Sequence, residues 1–303
     1  MIKAGELGRI IFGCGNFGGL GSSPALRDKG DGAATALALL DEARALGITR
    51  FDTANTYGGG VSEAVLGEWL GRQDRTFRSR IEVATKVGNP NGCPAGERPL
   101  SRAQVAWHLE QSLCWLGVER IDLYYLHEFD PSTPLGETLE ALDRALAAGK
   151  IAAFGVSNAT ADNLKAVLAL AKGPLRRAFT HVQNEFNRLE TCDLTEVIPL
   201  VQAEGLRYVA FSPLSGGLLT GKYVHGRVAS EGTRLGDAPD LYGHRLTAET
   251  FEAIAELGRR AAERGWTVPG TALRFVLDTP GVDCLIIAPR SAAQFADYGI
   301  TRQ

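Results

Sequence analysis

The sequence predicts an α/β fold, a (β/α)8 barrel of the TIM type, and three observations carry the prediction. Short β-branched runs alternate with longer segments of helical periodicity along the whole chain. Eight such alternations are present, which suits a parallel sheet closed into a barrel rather than left open. Ionisable and amide side chains stand at the C-terminal ends of successive runs, the face on which barrels build their sites.

The first run, Ile10–Cys14, precedes a helical pattern over Ala33–Leu46. The second, Ile48–Thr53, leads into Ser62–Leu70, and the third, Ile81–Val87, into Arg102–Leu116. Ile121–His127 is followed by Leu135–Ala147, and Ile151–Ser157 by Ala161–Leu170. Phe179–Asn184 is followed by Leu194–Ala203. Leu206–Ser212 is separated by a long loop from Thr250–Glu263 and Val268–Leu277. The eighth run, Val282–Ala288, precedes a short pattern at Ala292–Ala296. Ser101, with Gln104 three residues on, has the spacing of a capping box. Gly47, Gly117 and Gly205 stand at helix-to-strand turns, where a left-handed C-terminal cap suits glycine.

Two longer loops leave strand ends, Gly88–Pro99 and Lys222–His244. The second is long enough to be expected to work as a lid over a ligand. GCGNFGG at 13–19 has the spacing GxGxxG, but no helix opens directly after it. It reads as the loop after the first strand, not as a dinucleotide fingerprint.

Composition narrows the function classes. The chain of 303 residues has 45% hydrophobic and 22% charged residues and reads as a single domain, 1–303. Thirty-two Lys and Arg against 35 Asp and Glu leave a formal charge of −3, with no basic excess to favour a nucleic-acid partner. No apolar stretch approaches an export signal or a membrane span, so the expected location is the cytoplasm. The five cysteines form no CxxC, and no His/Asp/Glu group has ligand spacing, so neither a disulfide framework nor a metal site is expected. Cys14, Cys114 and Cys284 lie in apolar runs and read as buried. His108 reads as helix surface and Trp107 as packed core.

The chemistry gathers at strand ends. Asp52 closes the second run and Tyr57 follows it; Lys86 closes the third and His127 the fourth. Each has an ordinary structural reading, such as a helix cap for Asp52 or a satisfied core histidine for His127. Those readings do not explain four titratable side chains of four types at consecutive strand ends. Carbonyl reduction explains them. It needs a proton donor beside the hydride donor, and a phenol next to an ammonium is such a donor. Lys86 is expected to lower the Tyr57 pKa, Asp52 to hold Lys86, and His127 to orient the substrate oxygen.

On the stretches FDTANTYGGG, ATK, YYLH, GVSN and VAFSPLSGGLLTGKY the chain resembles the aldo-keto reductase superfamily, over about Ile10 to Asp297. The resemblance implies reversible, NADPH-dependent reduction of an aldehyde or ketone, with NADH the less favoured cofactor. It implies a catalytic tetrad of Asp52, Tyr57, Lys86 and His127, with Tyr57 the general acid. Ser157, Asn158 and Gln183 would hold the nicotinamide carboxamide, and the Phe211 ring would pack on the nicotinamide. Ser212, Leu214, Gly216, Gly217 and Leu218 would run beside the pyrophosphate, with Lys222 adding charge. Arg290, Ser291 and Gln294 would meet the adenosine end, and an Arg there can grip a 2′-phosphate. Ala288, Asp297 and Tyr298 depart from the family's usual Gly, Glu and Asn. The loops 16–32, 88–100, 128–133 and 222–245 are expected to select a small carbonyl or alcohol substrate. A second reading, also implied by the family, is an NADPH-binding regulatory subunit of a larger complex.

Overall fold

In the computed structural model, which describes residues 2, 4–223, 225–227, 229–230 and 232–301, eight parallel strands close into a barrel in sequence order. They are β1 (Ile10–Gly13), β2 (Arg50–Asp52), β3 (Glu82–Val87), β4 (Ile121–Leu126), β5 (Ile151–Ser157), β6 (Phe179–Glu185), β7 (Arg207–Phe211) and β8 (Cys284–Ile287). β8 closes on β1 with Ile10 opposite Leu285 and Phe12 opposite Ile287.

Alternation along each strand sorts side chains to two faces. Ile10, Phe12, Tyr208, Ala210, Leu285 and Ile287 join the main core with the helices outside, while Val209, Cys284 and Ile286 form a separate cluster with Ile11 and Phe211 inside the barrel. The same alternation turns Asp52, Lys86, His127, Ser157 and Gln183 inward, all at the C-terminal rim. At the opposite end Arg50 pairs with Glu82 at 2.8 Å, and Arg9 donates to the carbonyls of Leu277, Val282 and Asp283.

The helices fall where the periodicity puts them, with differences that have local causes. The pattern over Leu194–Ala203 resolves into a short turn, Cys192–Leu194, and a helix, Val197–Ala203. Pro199 then lies in that helix's first turn, where its missing N–H costs no hydrogen bond. The helix Arg102–Leu116 has Ser101 as its cap, its side chain accepting from the Gln104 N–H. Its buried face is Val105, His108, Leu109, Ser112, Leu113 and Leu116. Two expectations therefore reverse: His108 is buried and bonded to the Asn55 side chain at 3.0 Å, while Trp107 is 56% exposed. Cys114 is also exposed, while Cys14 and Cys284 are buried. The long loop after β7 is not structureless: Arg234–Asp237, Pro239–Tyr242 and Gly243–Arg245 form short helical turns.

Candidate active site

The rim residues surround a cavity of about 560 Å³, lined among others by Asp52, Tyr57, His127, Gln183, Phe211 and Arg290. That size suits a ligand pocket.

Lys86 is the centre of the polar cluster. It is fully enclosed, and its ammonium donates to the Asp52 carboxylate, to the Thr53 carbonyl at 2.8 Å and to the Tyr57 hydroxyl at 3.2 Å. The other Asp52 oxygen accepts from the Gln183 amide at 2.9 Å, so both carboxylate oxygens are held. Burial alone would pull the Lys86 ammonium down, but Asp52 and Tyr57 beside it hold it above its ordinary value. It is a firmly charged group.

Tyr57 projects from the turn after β2, and that turn is pinned. Its approach is fixed by Thr53, whose hydroxyl bonds Ser62 at 2.7 Å, and by Ser62 donating to the Cys14 carbonyl at 2.9 Å. The phenol sits above its ordinary pKa: burial raises it by more than Lys86 and Arg234 lower it. Lys86 lowers that pKa, as the sequence predicts, but desolvation outweighs it and the Asp52 carboxylate adds to the rise. The phenol therefore carries its proton at neutral pH.

His127 follows β4, its backbone N–H bonded to the Val87 carbonyl at 2.7 Å. Its ring meets the Tyr57 ring edge-on at 5.7 Å between centroids. Burial and the nearby Lys86 charge push the imidazole well below its ordinary pKa. It is neutral, and its Nδ1 is buried without a hydrogen-bond partner. A neutral imidazole in this position can donate one hydrogen bond without competing for the proton of Tyr57.

On the far side of the cavity the backbone turns repeatedly to positive φ. Ser212 and Ser215 hold positive φ of 49° and 47°, and Gly216 and Gly217 hold 65° and 97°. The Ser215 and Gly217 N–H groups close this turn on the Ser212 and Leu214 carbonyls, at 2.8 and 2.9 Å. Left-handed non-glycine residues are costly, and Asn158, the third of them among the described residues, lies on the same rim. Asn158 donates to the His127 carbonyl at 2.8 Å, and the Ser157 hydroxyl to the Gln183 carbonyl at 2.7 Å.

Most of the residues singled out in the sequence converge. Asp52, Tyr57, His127, Ser157, Asn158, Gln183, Phe211, Ser212, Leu214, Gly216, Gly217, Lys222, Arg290 and Gln294 line one cavity, and Lys86 lies directly behind Tyr57. Leu218 and Ser291 are not among its lining residues: Leu218 packs with Tyr223 and Leu235, and Ser291 is exposed. Glu128 also lies off the lining and accepts from Asn89 at 2.5 Å.

Sequence reasoning missed the residues that cross the cavity. Gly232, Thr233 and Arg234 of the loop after β7 line it, and Arg234 donates to the Asn16 side chain at 2.8 Å. Asn16 in turn donates to the Ala288 carbonyl at 3.2 Å. The loop is anchored at its return by Arg245, which grips both Glu185 oxygens at 2.6 and 2.9 Å and the Ser215 hydroxyl at 2.7 Å. Only the loop's length hinted at this. Asp31, in the loop after β1, lines the cavity beside Arg290 and pairs with it at 3.1 Å.

Comparison with known proteins agrees with this geometry. The sequence model of the aldo/keto reductase family matches residues 9–298. The chain is 37% identical over 275 residues to the uncharacterized oxidoreductase YrpG of Bacillus subtilis, covering 87% of this chain and 80% of that one. It is 31% identical over 272 residues to the L-glyceraldehyde 3-phosphate reductase of Escherichia coli K12, covering 86% and 76%. It is 35% identical over 237 residues to aflatoxin B1 aldehyde reductase member 2 of Rattus norvegicus, covering 75% and 61%.

Proposed function

The chain belongs to the aldo/keto reductase family and is a nicotinamide-dependent oxidoreductase acting on carbonyl groups; from that premise we propose that it reduces an aldehyde with NADPH, Tyr57 serving as general acid. The observation that carries this reading is the Tyr57 hydroxyl, 3.2 Å from the Lys86 ammonium in a cavity that also exposes a neutral His127.

When bound, the reduced nicotinamide supplies a hydride to the carbonyl carbon. His127 donates a hydrogen bond to the carbonyl oxygen and aligns it with the Tyr57 hydroxyl. As negative charge builds on that oxygen, Tyr57 releases its proton to it, and the resulting phenolate is stabilised by Lys86. Asp52 keeps Lys86 in place. The alcohol leaves, and a proton from solvent restores Tyr57. Run backwards, the phenolate is the base that takes the alcohol proton.

The residues present fit the cofactor. The Ser212–Gly217 turn lines the cavity with Arg234 and Lys222, whose positive charges suit a diphosphate, and the cavity-crossing loop acts as the lid. Ser157, Asn158 and Gln183 offer the amide and hydroxyl groups a carboxamide needs. Arg290 is the group for a 2′-phosphate, and Gln294 fixes its backbone by accepting from the Arg290 N–H at 2.8 Å. Two relatives are named for aldehyde reduction, which favours an aldehyde over a ketone. The test follows the hydride: NADPH carrying deuterium at both C4 positions of the nicotinamide, an activated aldehyde such as 4-nitrobenzaldehyde, and mass analysis of the alcohol. One cofactor-derived deuterium on the carbinol carbon is expected. Alcohol formed without it would refute direct transfer.

A further inference from the structure

The charge at the adenosine end of the cavity is not that of a free arginine. Arg290, the residue read above as the 2′-phosphate group, is already engaged. Its Nε donates to Asp31 Oδ1 at 3.1 Å, and the guanidinium also reaches the Lys29 carbonyl at 3.4 Å. Asp31 comes from a different part of the chain, the loop after β1, and is 7% exposed at its side chain against 32% for Arg290. Its second oxygen, Oδ2, is buried with no hydrogen-bond partner. Burial pushes the Asp31 carboxyl above its ordinary pKa although Arg290 pulls it down, so the carboxylate is only partly compensated. Both residues line the same cavity as Gln294 and Tyr298.

We propose that Asp31 is a specificity-determining residue that reduces the enzyme's preference for NADPH over NADH by offsetting the charge of Arg290. The proposal rests on the reading of Arg290 given above. An arginine discriminates a 2′-phosphate from a 2′-hydroxyl by its charge and its planar fork. Asp31 occupies the Nε edge of that fork and the Lys29 carbonyl meets Nη2, which leaves Nη1 for a ligand. It also sets a carboxylate, itself a lining residue of the cavity, beside the guanidinium that a phosphate dianion would meet. Like charges repel, while a neutral ribose hydroxyl meets no such penalty. Acidic residues that favour the ribose hydroxyl, opposed by arginines that accept the phosphate, are the general means by which proteins tell the two cofactors apart. Here both sit on one cavity wall and are bonded to each other.

The experiment is calorimetric titration of the whole 303-residue chain with NADPH and with NADH, which reads binding independently of turnover. Asp31→Asn keeps the shape and removes the charge. It should raise the ratio of NADPH to NADH affinity on the order of tenfold. Arg290→Ala should lower that ratio, and adding Asp31→Asn to Arg290→Ala, which removes the remaining like charge, should raise it again. A ratio unchanged or lowered in Asp31→Asn, with Arg290→Ala behaving as expected, overturns the role of Asp31 alone. A ratio unchanged in Arg290→Ala overturns the reading of Arg290 and the proposal with it. Asp31→Ser repeats the test if the asparagine variant does not fold.

Discussion

Lys86 is tolerable only because of what surrounds it. An enclosed ammonium is costly, and here its three contacts are a carboxylate, a carbonyl and a phenol, with Gln183 completing the shell of Asp52. Removing one partner strands the other. Lys86→Met should therefore lower the free energy of unfolding by about 3–5 kcal/mol, read from chemical denaturation. Adding Asp52→Asn removes the stranded charge and should recover part of that loss. Neither variant should reduce carbonyls, because the phenolate has lost its counter-charge. A double variant no more stable than Lys86→Met would show that the pair is not coupled in this way. The same logic separates His127 from Lys86: one ring is neutral and one group is charged, set by burial in the first case and by a partner in the second.

At the scale of elements, the packing of helix Val61–Gly71 on β3 contains its own titratable group. Glu63 is fully buried on that helix and accepts from the Thr85 hydroxyl at 2.6 Å, while its second oxygen has no partner. Burial raises its pKa from 4.5 to about 7. The folded protein therefore binds this proton between those values and the unfolded chain does not, so stability falls as pH rises through that window. The shift corresponds to at most about 3 kcal/mol. Glu63→Gln carries no such proton, so the decline in the denaturation midpoint from about pH 5 to pH 8 should shrink. An unchanged decline would assign it to other groups. Thr85 is next to Lys86 but faces the opposite side of the strand, so the loss should appear in stability before it appears in chemistry. The loop after β7 is held differently. Arg245 fixes its return to the barrel by gripping a carboxylate, while the hydrogen bonds of Arg234 across the cavity go, among the described residues, to the neutral Asn16 and Tyr242 side chains. The half that crosses the cavity is thus the less firmly held.

For the molecule as a whole, the barrel was legible because it repeats. Eight alternations of period two and period 3.6 leave few other arrangements, and the inward parity of Asp52, Lys86, His127 and Gln183 follows from strand alternation. What was not legible depends on contacts between segments distant in the chain. Arg234 meets Asn16 and Arg290 meets Asp31 across more than 200 residues, and no periodicity announces either pair. The phase of helix Arg102–Leu116 was misread at Trp107 and His108 because a tryptophan suggested a core position, whereas Val105, Leu109 and Leu113 fix the buried face. That burial outweighs the pull of Lys86 on Tyr57 was not legible, because it depends on how completely the site is enclosed. The central claim is that one phenol, held by one lysine, completes the reduction. It is tested most directly by comparing wild type with Tyr57→Phe, following loss of NADPH absorbance with an activated aldehyde and titrating NADPH into both. The account predicts turnover in the wild type, its loss in Tyr57→Phe, and cofactor affinities that differ by no more than about threefold. Turnover in Tyr57→Phe comparable to wild type would contradict it.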